Sequence, residues 1–189
     1  TGSGKTSVYI KLIDDVLKSG KQALMLVPEI ALTPQLMERF TALFGGNVAL
    51  LHSGLSAAER LDEWKRIRNG DAKIAVGARS AVFAPFSNLG LIILDEEHEP
   101  SYKSEGPPRY HTREVAKYRC HRSGALLILG SATPDIESMY AAKSGVYHFF
   151  ELKNRYNMQA LPAVRIADMR QELKHGQDVT IGGELREEI

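Results

Sequence analysis

Short apolar runs alternate with amphipathic stretches over most of this chain. Five runs of four to six residues are typical of buried β-strands, and they lie at 23–27, 47–51, 73–76, 89–94 and 125–129. The run at 89–94 is apolar throughout, which is expected of a strand covered on both faces. A sixth run at 147–152 also predicts a strand.

The stretches between these runs carry helical signals. A helix over 32–44 is predicted by an apolar face at helical spacing, formed by Leu32, Leu36, Phe40 and Phe44. A capping-box pattern from Ser56 opens a helix to about residue 68, and Gly70 closes it. Thr112 predicts the cap of a helix to about residue 122, and Thr133-Pro134 predicts the start of another.

This alternation predicts one α/β domain over residues 1–152, with a mostly parallel sheet flanked by helices and right-handed crossovers. Ligands of such sheets bind at the carboxyl ends of the strands, so we expect the chemistry in segments that directly follow strands. From about residue 153 the pattern weakens, and we interpret 153–189 as a linker towards a second domain.

Composition restricts the classes of function. The 189 residues include 24 Lys and Arg against 23 Asp and Glu, so attraction to nucleic acid must come from a local basic patch. Cys120 is the only cysteine, which excludes a disulfide within the chain and a zinc site built from cysteines. No apolar run reaches the roughly 18 residues of a membrane-spanning helix, so we expect no membrane partner.

The first six residues carry a phosphate-binding signal. Their sequence, Thr1-Gly2-Ser3-Gly4-Lys5-Thr6, matches the second half of G-x-x-x-x-G-K-[ST]. Backbone N–H groups of such a loop, here from Gly2, Ser3 and Gly4, wrap the phosphates of a nucleotide, the lysine reaches the β- and γ-phosphates, and the threonine hydroxyl binds Mg²⁺. The first glycine of the pattern and its strand would precede Thr1. We therefore expect a piece of a P-loop nucleoside-triphosphatase with the first strand missing.

Asp95-Glu96-Glu97-His98 follows the apolar run at 89–94. A carboxylate at the end of a buried strand is costly unless a cation satisfies it. With Lys5 and Thr6 upstream, we predict that this cation is Mg²⁺, with Thr6 and Asp95 as its side-chain ligands, Asp95 acting through water. Glu96 is placed to orient or deprotonate the attacking water. A solvated acidic turn is the alternative interpretation.

Gly130-Ser131-Ala132-Thr133 follows the run at 125–129. Small hydroxylic side chains at a strand end can hydrogen-bond a water at the γ-phosphate or the acidic residues. We therefore predict a coupling role for Ser131, Ala132 and Thr133. Capping of a helix by Thr133 is the plainer interpretation, and it is compatible with that role.

Two further segments that follow strands, 52–54 and 77–80, can hold the phosphates of a nucleic-acid strand. The candidate residues are Ser53, Gly54, Arg79 and Ser80. An ordinary surface loop is the alternative for both segments.

The stretch from 97 to 113 is too long and too rich in proline for a tight connection. It interleaves aromatic and basic residues, as a stacking platform for single strands does. Between 103 and 122, six Lys and Arg stand against two acids. We predict that DNA binds through Tyr102, Lys103, Arg109, Tyr110 and Arg113. The alternative is a packed surface loop with buried tyrosines.

These motifs, in this order, resemble the first motor lobe of superfamily 2 helicases, a RecA-like P-loop fold. The resemblance covers about residues 1–170 and is narrowed to the primosomal replication-restart helicases by TGSGKTSVY, LVPEIALTPQ, HSGLS, VGARSAVFAPF, LDEEHEPSYK, PRYHTR and GSATP. It implies an ATP-driven motor that moves 3′ to 5′ on DNA and acts in restart of stalled forks and primosome assembly. It also implies that Lys5 and Thr6 bind ATP and Mg²⁺ and that Asp95 and Glu96 act in hydrolysis. His98 and the 102–113 loop would link DNA contact to hydrolysis.

The same resemblance implies partners and a location. Single-stranded and forked DNA, primosome proteins and single-strand-binding protein are expected, in the bacterial cytoplasm. Three parts of that family have no counterpart in this sequence: the N-terminal DNA-binding region, the second motor lobe with its arginine finger, and a cysteine-rich zinc segment. We therefore expect zinc only in a downstream part of the parent protein, and we expect this chain to be inactive by itself.

Other interpretations stay open. Another superfamily 2 translocase, such as a RecG- or RecQ-like repair helicase, would share most of these motifs. A non-catalytic DNA-binding lobe would not need an intact set of Lys5, Thr6, Asp95 and Glu96. A small-molecule P-loop kinase would leave the aromatic and basic loop without a role.

Overall fold

A five-stranded parallel sheet carries helices on both faces in the computed structural model, which describes residues 4–152. The strands are β1 Gln22–Leu26, β2 Val48–Leu51, β3 Ile74–Gly77, β4 Leu89–Asp95 and β5 Leu126–Gly130. The helices are α1 Lys5–Lys18, α2 Pro34–Phe44, α3 Ala57–Asn69, α4 Thr112–Ser123 and α5 Ile136–Lys143. Short 3₁₀ turns lie at Glu29–Ala31, Gly45–Asn47, Arg79–Phe83 and Pro100–Tyr102. The predicted fold class, a parallel sheet flanked by helices, is confirmed.

The strand order β2-β3-β1-β4-β5 puts β1 at the centre of the sheet. Met25 of β1 pairs with Val76 of β3 on one side and with Ile93 of β4 on the other. At the end of β4, Asp95 pairs with Gly130, the last residue of β5. Parallel pairing in this register brings the segments that follow β4 and β5 out at the same edge.

Each face of the sheet has its own buried core. Side chains of a strand point alternately to the two faces, so Met25 packs on one face and Leu24 on the other. Helices α1 and α2 cover the Met25 face, and α3 and α4 cover the Leu24 face, through the fully buried side chains of Ile13, Phe40, Ile67 and Ala116. Coverage of both faces explains why β1 is apolar after Gln22 and β4 is apolar before Asp95.

The capping-box prediction is confirmed. The hydroxyl of Ser56 accepts from the N–H of Glu59 at 3.3 Å, and the Glu59 carboxylate accepts from the N–H of Ser56 at 2.8 Å. Helix α3 begins at Ala57 and ends at Asn69, and Gly70 is its C-cap residue with a φ of 83°. This left-handed conformation is strained for most L-residues and free of strain for glycine, which lacks a Cβ.

Two helix starts differ from the prediction. Helix α4 is capped by the side chain of His111, and Thr112 is its first helical residue. Thr112 is completely buried and already has a helical position, and its hydroxyl donates to the carbonyl of Tyr102. The helix predicted from 133–134 begins at Ile136, with Asp135 as its N-cap residue.

The strand predicted at 147–152 is wrong. Residues 148–152 have no regular secondary structure, and Phe150 is 87% exposed. A strand needs a neighbouring strand for its backbone hydrogen bonds, and none pairs with this segment within residues 4–152. Helix α1, in contrast, has no counterpart among the elements that the hydrophobic pattern predicts.

Residues 1–3 and 153–189 lie outside the described part of the chain. The predictions for Gly2 and Ser3 and the linker predicted after residue 152 fall there, and they stay predictions. Between residues 4 and 152, none of the helices has the length and apolar character that crossing a membrane requires.

Candidate functional site

Three of the predicted segments meet at the carboxyl edge of β4 and β5. Helix α1 begins with Lys5, residues 95–98 leave β4, and residues 130–133 leave β5. The side chains gathered here include one cation, two half-buried carboxylates, an imidazole and several hydroxyls. Their contacts determine what this edge of the sheet can do.

Lys5 lies against the acidic pair. Its Nζ is 2.5 Å from Glu96 Oε1 and 3.7 Å from Asp95 Oδ1. Gly4 caps α1 at a φ of 85° and offers no side chain to the first backbone N–H groups, and the first turn of α1 contains no acidic residue. A helix start without a side-chain cap, next to a lysine, suits an anion such as a phosphate. In this structure the carboxylates balance the charge of Lys5.

Two tyrosines fix Asp95. The Tyr9 hydroxyl of α1 donates to Asp95 Oδ1 at 2.9 Å, and the Tyr102 hydroxyl donates to the Asp95 carbonyl at 2.8 Å. Gly130 makes room for this arrangement, because a Cβ at that position would overlap the Tyr9 hydroxyl. Burial raises the pKa of the Asp95 carboxyl above its usual range, while the Tyr9 hydrogen bond and the charge of Lys5 oppose that rise.

His98 contacts both hydroxyl residues that follow β5. Its Nδ1 is 2.7 Å from Ser131 Oγ, and its Nε2 is 3.4 Å from Thr133 Oγ1. The same Nδ1 lies 3.8 Å from Glu96 Oε2. Ala132, the third residue predicted to couple, is exposed between them. The end of β4 and the end of β5 are thus joined by side-chain hydrogen bonds through one imidazole.

Arg113 does not face solvent. Its side chain is 7% exposed, and its Nη1 donates to three oxygens, those of Glu97 at 3.1 Å, Asp135 at 2.9 Å and Ser138 at 3.2 Å. Its Nη2 donates to Glu137 at 2.6 Å. The structure contradicts the prediction that Arg113 contacts DNA phosphates, because a buried guanidinium already held by carboxylates cannot reach a ligand on the surface.

Tyr102 also lies in the interior. The side chain is 0% exposed, and the Tyr102 carbonyl accepts from the Thr112 hydroxyl at 3.0 Å. A base cannot stack on a ring without an exposed face. The prediction that Tyr102 stacks on DNA is therefore wrong, and the buried-tyrosine interpretation holds at this position.

The middle of the 102–113 loop is different. Lys103 and Arg109 are exposed, and Tyr110 is half-buried. The Tyr110 ring packs edge-on against Phe83, with 5.0 Å between ring centroids. A β-bridge between Lys103 and His111 closes the loop. Lys103 and Arg109 are therefore open to a ligand, and Tyr110 is open only in part.

The remaining predicted DNA residues follow β2 and β3. Ser53, Gly54 and Ser80 are exposed. Arg79 is half-buried, and its Nη1 donates to the carbonyls of Ser101 at 3.2 Å and Lys103 at 2.7 Å. Arg79 thus braces the start of the 102–113 loop from the end of β3.

The donor set fits a magnesium nucleotide. Mg²⁺ prefers oxygen ligands and is commonly bound by one or two side chains together with substrate phosphates and water. Thr6 supplies a hydroxyl directly after Lys5, and Asp95 supplies a carboxylate 3.7 Å from Lys5 Nζ. The oxygens of Thr6 and Asp95 and the cation of Lys5 are the groups that such a ligand requires.

Sequence reasoning missed four residues of this edge. Tyr9 follows Lys5 by one helical turn, and that spacing was the available signal, because it puts both side chains on one face of α1. Glu97, Asp135 and Ser138 gave no signal of their own. Their common partner Arg113 lies 16, 22 and 25 residues away along the chain.

Known proteins resemble this chain closely. The replication restart protein PriA of Bacillus subtilis (strain 168) is 51% identical over 189 residues, which is 100% of this chain and 24% of that protein. The replication restart protein PriA of Synechocystis sp. is 50% identical over 181 residues, 93% of this chain and 22% of that protein. The chain therefore spans about a quarter of the length of these curated relatives.

Solved structures share its fold. RecG bound to a three-way DNA junction matches with a TM-score of 0.54 and 28% identity, over 76% of this chain and 18% of that chain. The Pyrococcus furiosus Hef helicase domain matches with a TM-score of 0.56 and 24% identity, over 79% of this chain and 32% of that chain, which is evidence for the fold alone. Residues 1–141, more than half of the chain, match the family model described as DEAD/DEAH box helicase. The chain belongs to the DEAD/DEAH box helicase family.

Proposed function

We propose that this chain is the ATP-binding motor lobe of a DNA helicase that acts in restart of stalled replication forks and in primosome assembly. The observation that carries the proposal is the contact of Lys5 with Glu96 and Asp95 beside the start of α1. Family membership supports ATP hydrolysis, and the names of the PriA relatives support the role in restart. We assign the activity to the full-length protein, because the chain spans about a quarter of those relatives.

The residues at the start of α1 and the end of β4 divide the chemistry. Lys5 exchanges its contact with Glu96 for a charge-assisted contact with the triphosphate. Asp95 and Thr6 are the side chains that would hold Mg²⁺, and the bound ion would supply positive charge at the triphosphate. Glu96, once released from Lys5, orients the attacking water or takes its proton.

His98 provides the route from the nucleotide to the rest of the lobe. It touches Ser131 and Thr133, and it lies 3.8 Å from the carboxylate of Glu96. A displacement of the 131–133 segment would therefore reach Glu96 through a single side chain. This contact set supports the coupling role that we assign to Ser131, Ala132 and Thr133.

DNA would lie over the exposed positions at the same edge of the sheet. They are Ser53, Gly54, Ser80, Lys103, Arg109 and Tyr110. Arg79 would act indirectly, through the loop that it braces. The same proposal includes single-stranded and forked DNA as the substrate and 3′-to-5′ movement along it. It also includes primosome proteins and single-strand-binding protein as partners, zinc elsewhere in the parent protein, and action in the bacterial cytoplasm. The RecG structure, in which a relative of 28% identity is bound to a DNA junction, supports the DNA part.

The first test replaces Lys5 with alanine in the full-length protein. We expect Lys5→Ala to abolish most DNA-stimulated ATP hydrolysis and to leave DNA affinity unchanged, since it removes a phosphate contact. Lys11→Ala is the matched control, because Lys11 lies on the exposed side of the same helix and pairs with Asp15. Turnover within twofold of the wild type in Lys5→Ala would disprove the nucleotide assignment.

A second test separates binding from hydrolysis. Glu96→Gln keeps the shape of the side chain and removes the carboxylate that handles the proton. We expect ATP affinity to be retained and turnover to stop. If ATP affinity collapses while residual turnover stays high, Glu96 is not the carboxylate that acts on the water.

A further inference from the structure

Glu96 has an unusual backbone conformation. Its φ is 46°, and within residues 4–152 it is the only non-glycine residue with a positive φ. An L-residue in this region is strained, and the strain persists only where the surrounding structure holds the residue in place. Glu96 is also the residue to which we assign the attacking water. Whatever holds its backbone therefore sets the direction of its carboxylate.

The next residue is firmly anchored. The side chain of Glu97 is 2% exposed. Its Oε1 accepts from the N–H of Asp135 at 2.8 Å, and its Oε2 accepts from Arg113 Nη1 at 3.1 Å and from Ser138 Oγ at 3.0 Å. Its own N–H donates to the carbonyl of Gly130 at 3.0 Å. Both ends of Glu97, backbone and side chain, are thus fixed.

These anchors come from three different elements. Gly130 ends β5, Arg113 lies in the first turn of α4, and Asp135 and Ser138 lie at the start of α5. On the other side of Glu96, the carbonyl of Asp95 is held by Tyr102. Glu96 therefore lies between two immobilised residues, and Glu97 is the one whose side chain supplies the anchor.

Stability alone does not account for this network. Replacement of a buried ion pair by apolar residues is commonly neutral or stabilising. Within the described part of the chain, Nε of Arg113 is the only buried side-chain nitrogen or oxygen without a hydrogen-bond partner, and it lies 3.6 Å from Glu114 Oε1. A buried charge cluster that fixes the neighbour of Glu96 therefore points to a role in the geometry of the site.

We propose that Glu97 is a positioning residue, which holds Glu96 in its left-handed conformation and thereby aims its carboxylate. The inference rests on the proposed function, because that function assigns the attacking water to Glu96. It concerns a residue that acts through its neighbour and makes no contact with the nucleotide.

The test uses Glu97→Gln in the full-length protein. Glutamine keeps the volume but has one acceptor oxygen in place of two. In either orientation its NH₂ group would face an N–H donor, that of Asp135 or that of Arg113. We expect faster amide hydrogen exchange in the segment 95–99 without nucleotide, about a 10- to 100-fold lower kcat, and an affinity for a non-hydrolysable ATP analogue within twofold of the wild type.

Glu137→Gln is the matched control. Glu137 bonds the same Arg113, at 2.6 Å, but its side chain is 80% exposed, and it lies far along the chain from Glu96. We expect kcat, analogue affinity and exchange at 95–99 to stay within twofold of the wild type. A milder variant, Ser138→Ala, removes one hydrogen bond to Glu97, and we expect a smaller fall in kcat with the same pattern of exchange.

Several results would overturn the positioning role. One is unchanged exchange at 95–99 in Glu97→Gln. Another is an equal fall of kcat in Glu97→Gln and Glu137→Gln, which would trace the effect to Arg113. If Glu97→Gln does not fold, an unchanged kcat in Ser138→Ala overturns the role. An inactive wild-type protein would instead overturn the proposed function, and the exchange measurement would still decide whether Glu97 anchors the segment.

Discussion

The two ends of the 102–113 loop and its middle have similar residues and opposite environments. Tyr102 and Arg113 lie in the interior, whereas Lys103 and Arg109 face solvent. Both sets contain basic residues, so residue type does not separate them. The partners do: Tyr102 bonds the carbonyl of Asp95, and Arg113 bonds the carboxylate of Glu97. The two ends of this aromatic and basic loop thus bond to residues of the candidate site, and its middle is an open surface.

The attachments have a geometric consequence. Asp95 and Glu97 are the residues on either side of Glu96, so both ends of the loop are tied to the neighbours of one carboxylate. Under the proposed function, a DNA strand on Lys103, Arg109 or Tyr110 would move a loop whose ends already hold the hydrolytic segment. Substitutions at the ends of the loop should therefore mainly lower the free energy of unfolding. Substitutions in the middle should mainly lower DNA-stimulated ATPase.

The largest effect is expected at Tyr102. Tyr102→Ala removes a fully buried aromatic side chain, and we expect a loss of about 3–5 kcal/mol in the free energy of unfolding. Tyr102→Phe removes the hydrogen bond to Asp95 alone and should cost about 1 kcal/mol. Denaturant unfolding of the two variants measures the difference. If Tyr102→Ala kept its stability and lost only DNA binding, the contrast between ends and middle would be broken.

The next effect concerns acid stability at Arg113. The hydrogen bond from Arg113 holds the pKa of Asp135 below its usual range. A lowered pKa stabilises the folded state above the usual pKa of the carboxyl, and this contribution is lost as the pH falls through the lowered value. We expect the stability difference between the wild type and Arg113→Met to be largest near neutral pH and to shrink in acid. Thermal melts across pH measure it, and a difference independent of pH would contradict the ion-pair account.

The smallest effect on folding is expected in the middle of the loop. Arg109→Ala should change the free energy of unfolding by no more than about 0.5 kcal/mol, because the side chain is exposed. In the full-length protein we expect DNA-stimulated ATPase to fall several-fold while basal ATPase stays within twofold. Arg122→Ala, an exposed arginine at the far end of α4, is the control. If basal and DNA-stimulated ATPase fell equally, Arg109 would not act in the response to DNA, and the contrast between the middle and the ends of the loop would be lost.

Periodicity and local chemistry predicted much of the fold. The five runs became five strands because strands buried on both faces must be apolar, and the Ser56 box and Gly70 were readable because caps depend on adjacent residues. The strand prediction for 147–152 was wrong because, in the described part of the chain, no neighbouring strand pairs with this apolar segment. The Thr112 prediction was wrong by one position, because the side chain of His111 accepts from the N–H of Arg113 and caps the helix.

The sequence by itself determined that an acidic segment and a hydroxylic segment each directly follow a strand of a parallel sheet, and that a lysine predicted to bind phosphate lies near the start of the chain. Parallel strands end at one edge, so the sequence placed both segments at that edge, and the pairing of β4 with β5 in the structure made them neighbours. The tertiary structure alone decided that Tyr9 and Tyr102 hold Asp95, that Glu97 is buried, and that Arg113 points inward. These contacts join residues 7 to 86 positions apart. Burial and pairing at such separations depend on how α1, α4 and α5 pack on the sheet, which no local pattern encodes.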